Sequence, residues 1–321
     1  MRETTPSGPA PTGAGGLLPP DSALVTPEGQ TFGGASLLVR YINFVKLPHT
    51  LFALPFALLG VLEAWRDNPV TWRPVRLVVL AFSAARWVAM GVNRIADREF
   101  DARNPRTSTR ELPRGALSVT QAWASVIVAG SLFLFAAGQL NRVCLVLAPV
   151  ALLWVTGYSF AKRFTFWPHL WLGLALAMAP VGGYLAVTGH WSTPWWVLIA
   201  ITLAVATWVA GFDIFYALPD EGFDRDAGLH SAVVKLGQRR SILLAKLLHG
   251  VTIPALIVFG IGGGFGTWYF VGVGCAALIL LWEHQLVTPG DLSRLDAAFF
   301  TMNGVMSVTV FGFALVDRLV G

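Results

Sequence analysis

The sequence predicts an all-α membrane protein with nine transmembrane helices. Three observations carry that prediction. The 321-residue chain is 55% hydrophobic and only 13% charged, whereas soluble domains carry roughly 25% charged residues. Its mean hydropathy is +0.62, which excludes a disordered, collagen-like or disulfide-stapled chain and argues against a water-soluble enzyme. The apolar residues fall in long unbroken runs, not in the alternating segments of roughly 10 residues that an outer-membrane barrel uses. Basic residues, finally, concentrate in alternate loops.

In chain order, residues 1–36 come first. Gly, Pro, Ser and Thr supply 21 of those 36 residues. No basic segment followed by an apolar core reads as a signal peptide there. The expectation is a disordered cytosolic tail over 1–36 and a membrane domain over 37–321. Helices are expected near 42–64, 76–100, 117–139, 142–162, 166–188, 193–219, 240–260, 266–285 and 296–318. Each can cross a hydrocarbon core of about 30 Å at ~1.5 Å per residue. The uncharged run 164–212 is too long for one span and breaks at Thr188-Gly189-His190, before Pro194. The run 247–282 breaks at the glycine-rich segment 260–266.

Loops after the second, fourth, sixth and eighth helices hold twelve basic residues. The other loops hold four: Arg66, Arg73, Arg76 and Arg142. This asymmetry places the N-terminus and the even-numbered loops in the cytoplasm. It also accounts for the net charge of +5 without nucleic acid as a partner. Cys144 and Cys275 lie in apolar runs, without metal-ligand or disulfide spacing, and read as small core residues.

The acidic residues are clustered. Of 18 Asp and Glu, nine fall in two short segments that end even-numbered helices, four helices apart. The first reads Asn93-x-x-x-Asp97-x-x-x-Asp101. Steps of four advance about 400° on a helix, so these three side chains share one face. The second contains Asp220 and Asp224, again four apart, with Asp213 near the same face. Carboxylates one turn apart repel by about 0.2–0.5 kcal/mol on an exposed helix, and more near a bilayer. Solvated helix ends are the simple explanation, but acids at helix C-terminal ends oppose the macrodipole. Hard oxygen ligands in pairs point instead to Mg²⁺ or Mn²⁺ shared with substrate phosphates.

Bases accompany the acids. Arg103, Arg106, Arg110 and Arg114 follow the first cluster, Lys162 and Arg163 close the fourth helix, and Arg225 lies in the second cluster. Positive-inside anchoring explains part of this set. Acids for a metal beside bases for oxyanions are nevertheless what a diphosphate clamp requires. Arg86 lies mid-helix, seven residues before Asn93, and so about two turns deeper on the same face. A guanidinium inside a membrane is expensive and fits a carboxylate through two hydrogen bonds.

These residues resemble a known family. Asn93-Arg-Ile-Ala-Asp97-Arg-Glu-Phe-Asp101 is similar to the first signature of the UbiA-type intramembrane prenyltransferases, and Asp220-x-x-x-Asp224 to the second. The similarity extends to Arg103-Asn-Pro-Arg-Thr107, Arg110-Glu-Leu-Pro-Arg-Gly115, Tyr158-Ser-Phe-Ala-Lys162-Arg163, Gly228-Leu-His-Ser231 and Lys46-Leu-Pro-His-Thr50. It covers roughly residues 40–318. The resemblance implies a nine-helix bundle around a central cavity, in a bacterial-type inner membrane, with the active site facing the cytoplasm. It implies two Mg²⁺ ions and a polyprenyl diphosphate held by Asn93, Asp97, Asp101, Asp220 and Asp224. Tyr158, Lys162, Arg163, Arg106 and Arg110 would contact the diphosphate. Arg86 would hold the carboxylate of an aromatic acceptor. The branch resembled is the 4-hydroxybenzoate polyprenyltransferase-like one, in which some members use a dihydroxynaphthoate, so the expected partners are a polyprenyl diphosphate, an aromatic acid and membrane lipid.

Two other classes compete. A CDP-alcohol phosphotransferase also uses intramembrane aspartates, but its motif begins DGxxAR, which this chain lacks. A transporter could use the acids as an ion-coupling site. Coupling sites, however, lie near the bilayer midplane, whereas these acids sit at one face.

Overall fold

The computed structural model describes residues 32–34, 36–292, 294–295 and 301–321. The expected tail thus lies almost wholly outside the described residues, as does 296–300 of the ninth expected helix. The chain runs α1 (Leu37–Phe44), α2 (Leu47–Trp65), α3 (Trp72–Ala96), α4 (Arg98–Arg103), α5 (Val119–Leu140) and α6 (Arg142–Gly157). A 3₁₀ turn at Tyr158–Arg163 leads to α7 (Pro168–Thr188) and α8 (Trp195–Ala217). A second 3₁₀ turn, Leu218–Asp220, leads to α9 (Glu221–Asp226), α10 (Ala232–Gly262), α11 (Thr267–Leu286) and α12 (Asn303–Val320).

Among the described residues, eight helices are long and apolar enough to cross a membrane. The remaining long helix, α2, has a shorter apolar segment over Ala53–Trp65. Burial sorts these helices by depth in the bundle. In the α8 span 78% of the apolar window is buried, against 17% in the span that contains α6. So α8 is the central post, packed against α7 and α10, with Trp208, Ile201 and Phe215 fully enclosed. Helices α5 and α6 present Ile127, Val128, Val146, Val150 and Leu153 outward, the surface expected of a lipid-facing wall.

Glycine lets α2 and α7 approach backbone to backbone. A Cβ on Gly60 of α2 would stand 1.8 Å from the Pro180 carbonyl oxygen of α7, and one on Gly183 2.1 Å from that of Ala57. Small residues at such crossings replace the hydrophobic drive that lipid cannot supply.

Three boundaries differ from expectation, and each difference has a local cause. The first expected helix is divided by Lys46, which adopts φ 49. The seventh begins at Ala232 rather than 240, because a kink at Gly237 (φ 74) joins two helical pieces that the sequence pattern separates. The second ends at Ala96, since Asp97 leaves helical geometry (φ −95, ψ 3) before α4 begins. The last difference corrects the dipole argument. Asp97 and Asp220 do end long helical segments, but each is also the N-cap position of a short helix, α4 or α9. The positive end of that short helix offsets part of the unfavourable field.

Candidate functional site

Two helix junctions build the site. At the α3–α4 junction the backbone continues through Asp97, whose N–H donates to Asn93 O (2.9 Å) while Asp101 N–H donates to Asp97 O (2.8 Å). The side chains of Asn93, Asp97 and Asp101 therefore keep the shared face that their spacing predicts. At the α8–α9 junction, the turn through Pro219 buries both Asp220 and Asp224.

The two junctions face one cavity of about 180 Å³. Asn93, Asp97, Asp101, Arg106, Arg110, Tyr158, Lys162, Asp220 and Asp224 line it, and Arg86 lines it too. Arg163 does not. Its Nη2 donates to Ala96 O (2.7 Å), at the end of α3, and lies 3.7 Å from Asp97 Oδ1. It braces the junction from outside the cavity, so its expected contact with a diphosphate would have to run through Asp97.

Bases hydrogen-bond directly to three of the four acids. Asp220 accepts from Asn104 Nδ2 (3.0 Å), Arg106 Nε (2.9 Å) and Arg106 Nη2. Asp101 accepts from Arg110 Nη1 (2.6 Å), and Asp224 from Lys162 Nζ (2.9 Å). Arg106 also lies over the Tyr216 ring at 4.7 Å. Asp97 has Asn93 Nδ2 at 3.1 Å. Such enclosed pairs carry a desolvation cost that Coulomb attraction barely offsets. Retaining three of them at one mouth points to function more than to stability.

Asp97 lies just beyond the α3 span. Burial, together with the neighbouring Asp101 carboxylate, pushes its carboxyl up to about 6. The sign follows directly: above that value Asp97 is a carboxylate, and below it a proton occupies the oxygen that a cation would use. Divalent-cation affinity is therefore expected to fall as pH drops from 7 to 5. A Mg²⁺ titration of donor binding at both values checks this; equal affinities would remove Asp97 from the metal shell.

Below the acids the walls are apolar, with Met90, Leu172, Leu176 and Phe212. Arg86 reaches this lower part. Its Nε is buried without a hydrogen-bond partner, and Tyr158 and Asp213 are near enough to act on its charge. Polar lining residues to which the sequence assigns no role include Arg94, Asn104, His169 and Asp213. Asp213 was visible as a neighbour of the second cluster and Asn104 as part of the Arg103–Arg106 loop sequence. His169 is a lone histidine after Pro168, and no spacing marks it.

The donor set can be tested against a metal. Among the described residues, no three His, Cys, Asp or Glu side chains gather into a protein-only metal centre. Asp101 Oδ2, however, is buried with no partner, one turn from Asp97. That fits Mg²⁺, which binds one or two carboxylates and completes its shell with water and substrate phosphate oxygens.

Charged walls at the mouth and an apolar interior suit the class of membrane enzymes that handle an anionic headgroup on a hydrocarbon. The comparisons with known proteins make the class specific. The sequence model of the UbiA prenyltransferase family matches residues 53–305. A 4-hydroxybenzoate octaprenyltransferase of Nitrosospira multiformis is 32% identical over 246 residues, covering 76% of this chain and 82% of that one. One from Coxiella burnetii is 31% identical over 230 residues, covering 71% and 78%. The apo structure of a UbiA homologue from Aeropyrum pernix K1 superposes with a TM-score of 0.76 at 31% identity, covering 84% of this chain and 98% of that one. The chain belongs to the UbiA prenyltransferase family and is a prenyltransferase. The transporter and phosphotransferase readings fall away with that assignment.

Proposed function

We propose that the protein transfers a polyprenyl group from a polyprenyl diphosphate to an aromatic acid, in a Mg²⁺-dependent reaction of quinone biosynthesis. The single observation that carries this reading is the division of one cavity. Four aspartates and their bases occupy the mouth, and Arg86 waits below them with a buried nitrogen lacking a partner. The named relatives act on 4-hydroxybenzoate. A homologue from Archaeoglobus fulgidus with the same fold (TM-score 0.66, 20% identity) is bound to GPP and Mg²⁺. The proposal includes nine membrane spans, with α2 as the first, and a cavity that opens to the cytoplasm.

The residues act in order of depth. Asn93, Asp97, Asp101, Asp220 and Asp224 would hold two Mg²⁺ ions against the diphosphate. When bound, Mg²⁺ neutralises charge on the departing diphosphate oxygens. Arg106, Arg110 and Lys162 now hold carboxylates. As the diphosphate enters, these bases exchange a carboxylate oxygen for a phosphate oxygen, so the acids are freed where the headgroup arrives. Tyr158 adds a hydroxyl donor from the end of α6. Breaking the allylic C–O bond leaves a cation, and Phe212, Leu172 and Leu176 keep water from it. Arg86 orients the acceptor by its carboxylate, bringing a ring carbon to the cation.

The acceptor is either 4-hydroxybenzoate or 1,4-dihydroxy-6-naphthoate. Both carry a carboxylate for Arg86, and the names of the relatives favour the first. Membranes containing the protein, given a polyprenyl diphosphate and Mg²⁺, test this with the two acceptors offered side by side. Prenylated hydroxybenzoate is the expected product. Naphthoate product alone would move the protein to the other pathway, and no product from either acceptor would refute the reading.

A further inference from the structure

His169 is 1% exposed, and Nδ1 lies 2.6 Å from Asp213 Oδ2. Its Nε2 is buried without any hydrogen-bond partner. Both residues line the reaction cavity, His169 from the first turn of α7 and Asp213 from α8. A carboxylate on Nδ1 fixes the tautomer with the proton on that nitrogen and leaves the Nε2 lone pair available. Leaving such an atom unpaired in a buried site costs free energy, and a ligand hydroxyl would relieve the cost.

We propose that His169, held by Asp213, is the base that takes the proton of the acceptor's ring hydroxyl. This inference rests on the aromatic-acceptor reading above. The other charged groups that line the cavity have different duties. Lys162 is paired with Asp224, Asp220 with Arg106, and Asp101 with Arg110. From the α3–α4 junction, Asp97 faces Asn93 at the mouth, while the cations Arg86 and Arg94 cannot accept a proton. Tyr158, from the end of α6, is a donor at neutral pH.

The step balances. The allylic C–O bond breaks, and its electron pair leaves with the diphosphate. The ring carbon beside the hydroxyl supplies the pair for the new C–C bond. The hydroxyl proton passes to Nε2, which produces an imidazolium facing Asp213 and a neutral dienone. Rearomatisation returns that proton to the ring oxygen as the ring hydrogen departs to the released diphosphate. A base at the hydroxyl raises the electron density of the ring at the moment of attack, which is where general-base help of about 10²–10⁴-fold is available.

The test compares wild type, His169→Gln and Asp213→Asn with two acceptors. One is 4-hydroxybenzoate. The other is 3-nitro-4-hydroxybenzoate, whose hydroxyl is already ionised at neutral pH and needs no base. Glutamine keeps a polar group at the site but is not basic. With 4-hydroxybenzoate, kcat should fall on the order of 10²-fold in His169→Gln, with acceptor KM changed little. Asp213→Asn should fall in the same direction. With the nitro acceptor the variant-to-wild-type ratio should recover to within about 5-fold of unity. Donor affinity in the presence of Mg²⁺ should match wild type in each variant, which shows that the mouth is intact. Undiminished turnover in His169→Gln, or an equal loss with both acceptors, would overturn the assignment and leave His169 a packing residue. Absence of product from the wild type would instead overturn the acceptor reading itself, and this inference with it.

Discussion

Asp224→Asn and Asp97→Ala are each expected to lower prenyl transfer on the order of 10³-fold while leaving a folded protein in the membrane. The size follows from the charge that develops on the leaving diphosphate. A metal and its ligands supply several kcal/mol of stabilisation there, and each 1.36 kcal/mol is about tenfold in rate. Asparagine at 224 keeps the shape and one acceptor oxygen for Lys162 Nζ, now 2.9 Å from Asp224. It therefore removes the carboxylate charge without leaving the Lys162 ammonium wholly unsupported. Alanine at 97 removes only the Asn93 hydrogen bond and the longer approach of Arg163. Detergent-solubilised yield and thermal unfolding separate loss of chemistry from loss of fold. Near-normal turnover in both variants would contradict the metal assignment.

Arg86→Ala should raise the acceptor KM about 10–100-fold, in keeping with the loss of a charge-assisted hydrogen bond of ~1.5–3 kcal/mol. The donor KM should stay within about 3-fold, because Arg86 lies about two turns below Asn93 and, among the described residues, has no hydrogen bond or ion pair to the mouth acids. Arg86→Lys should recover only part of the loss, since an ammonium cannot match a carboxylate through two parallel bonds. A control is built into the chemistry: phenol, which lacks the carboxylate, should be used equally poorly by wild type and Arg86→Ala. Parallel increases in both KM values would place Arg86 at the diphosphate end instead.

Much of the site was legible because helical spacing is a one-dimensional code. Asn93, Asp97 and Asp101 at intervals of four, and Arg86 seven residues before Asn93, share one face of an ideal helix, and the structure puts them in one cavity although the helix breaks at Asp97. The second cluster was legible for the same reason. Charge could be read, but pairing could not. Nothing in the spacing tells that Arg106 reaches Asp220, 114 residues away, or that Lys162 reaches Asp224. Arg163 illustrates the limit. It is adjacent to Lys162 in sequence, yet the 3₁₀ turn at Tyr158–Arg163 directs it to the Ala96 carbonyl rather than the cavity. His169 was illegible because its meaning comes from Asp213 on another helix. Helix boundaries failed where single residues leave helical geometry, at Lys46, Asp97 and Gly237. Hydropathy carries no signal for such positions.

The four mouth aspartates are proposed to serve a metal-bound diphosphate. The most direct measurement is prenyl transfer by the purified protein after chelation with EDTA, followed by stepwise return of Mg²⁺. The expected result is no product after chelation, full recovery with Mg²⁺, and no recovery in Asp97→Ala at Mg²⁺ levels that saturate the wild type. Transfer that survives chelation, or Asp97→Ala protein with the same Mg²⁺ dependence as wild type, would contradict it.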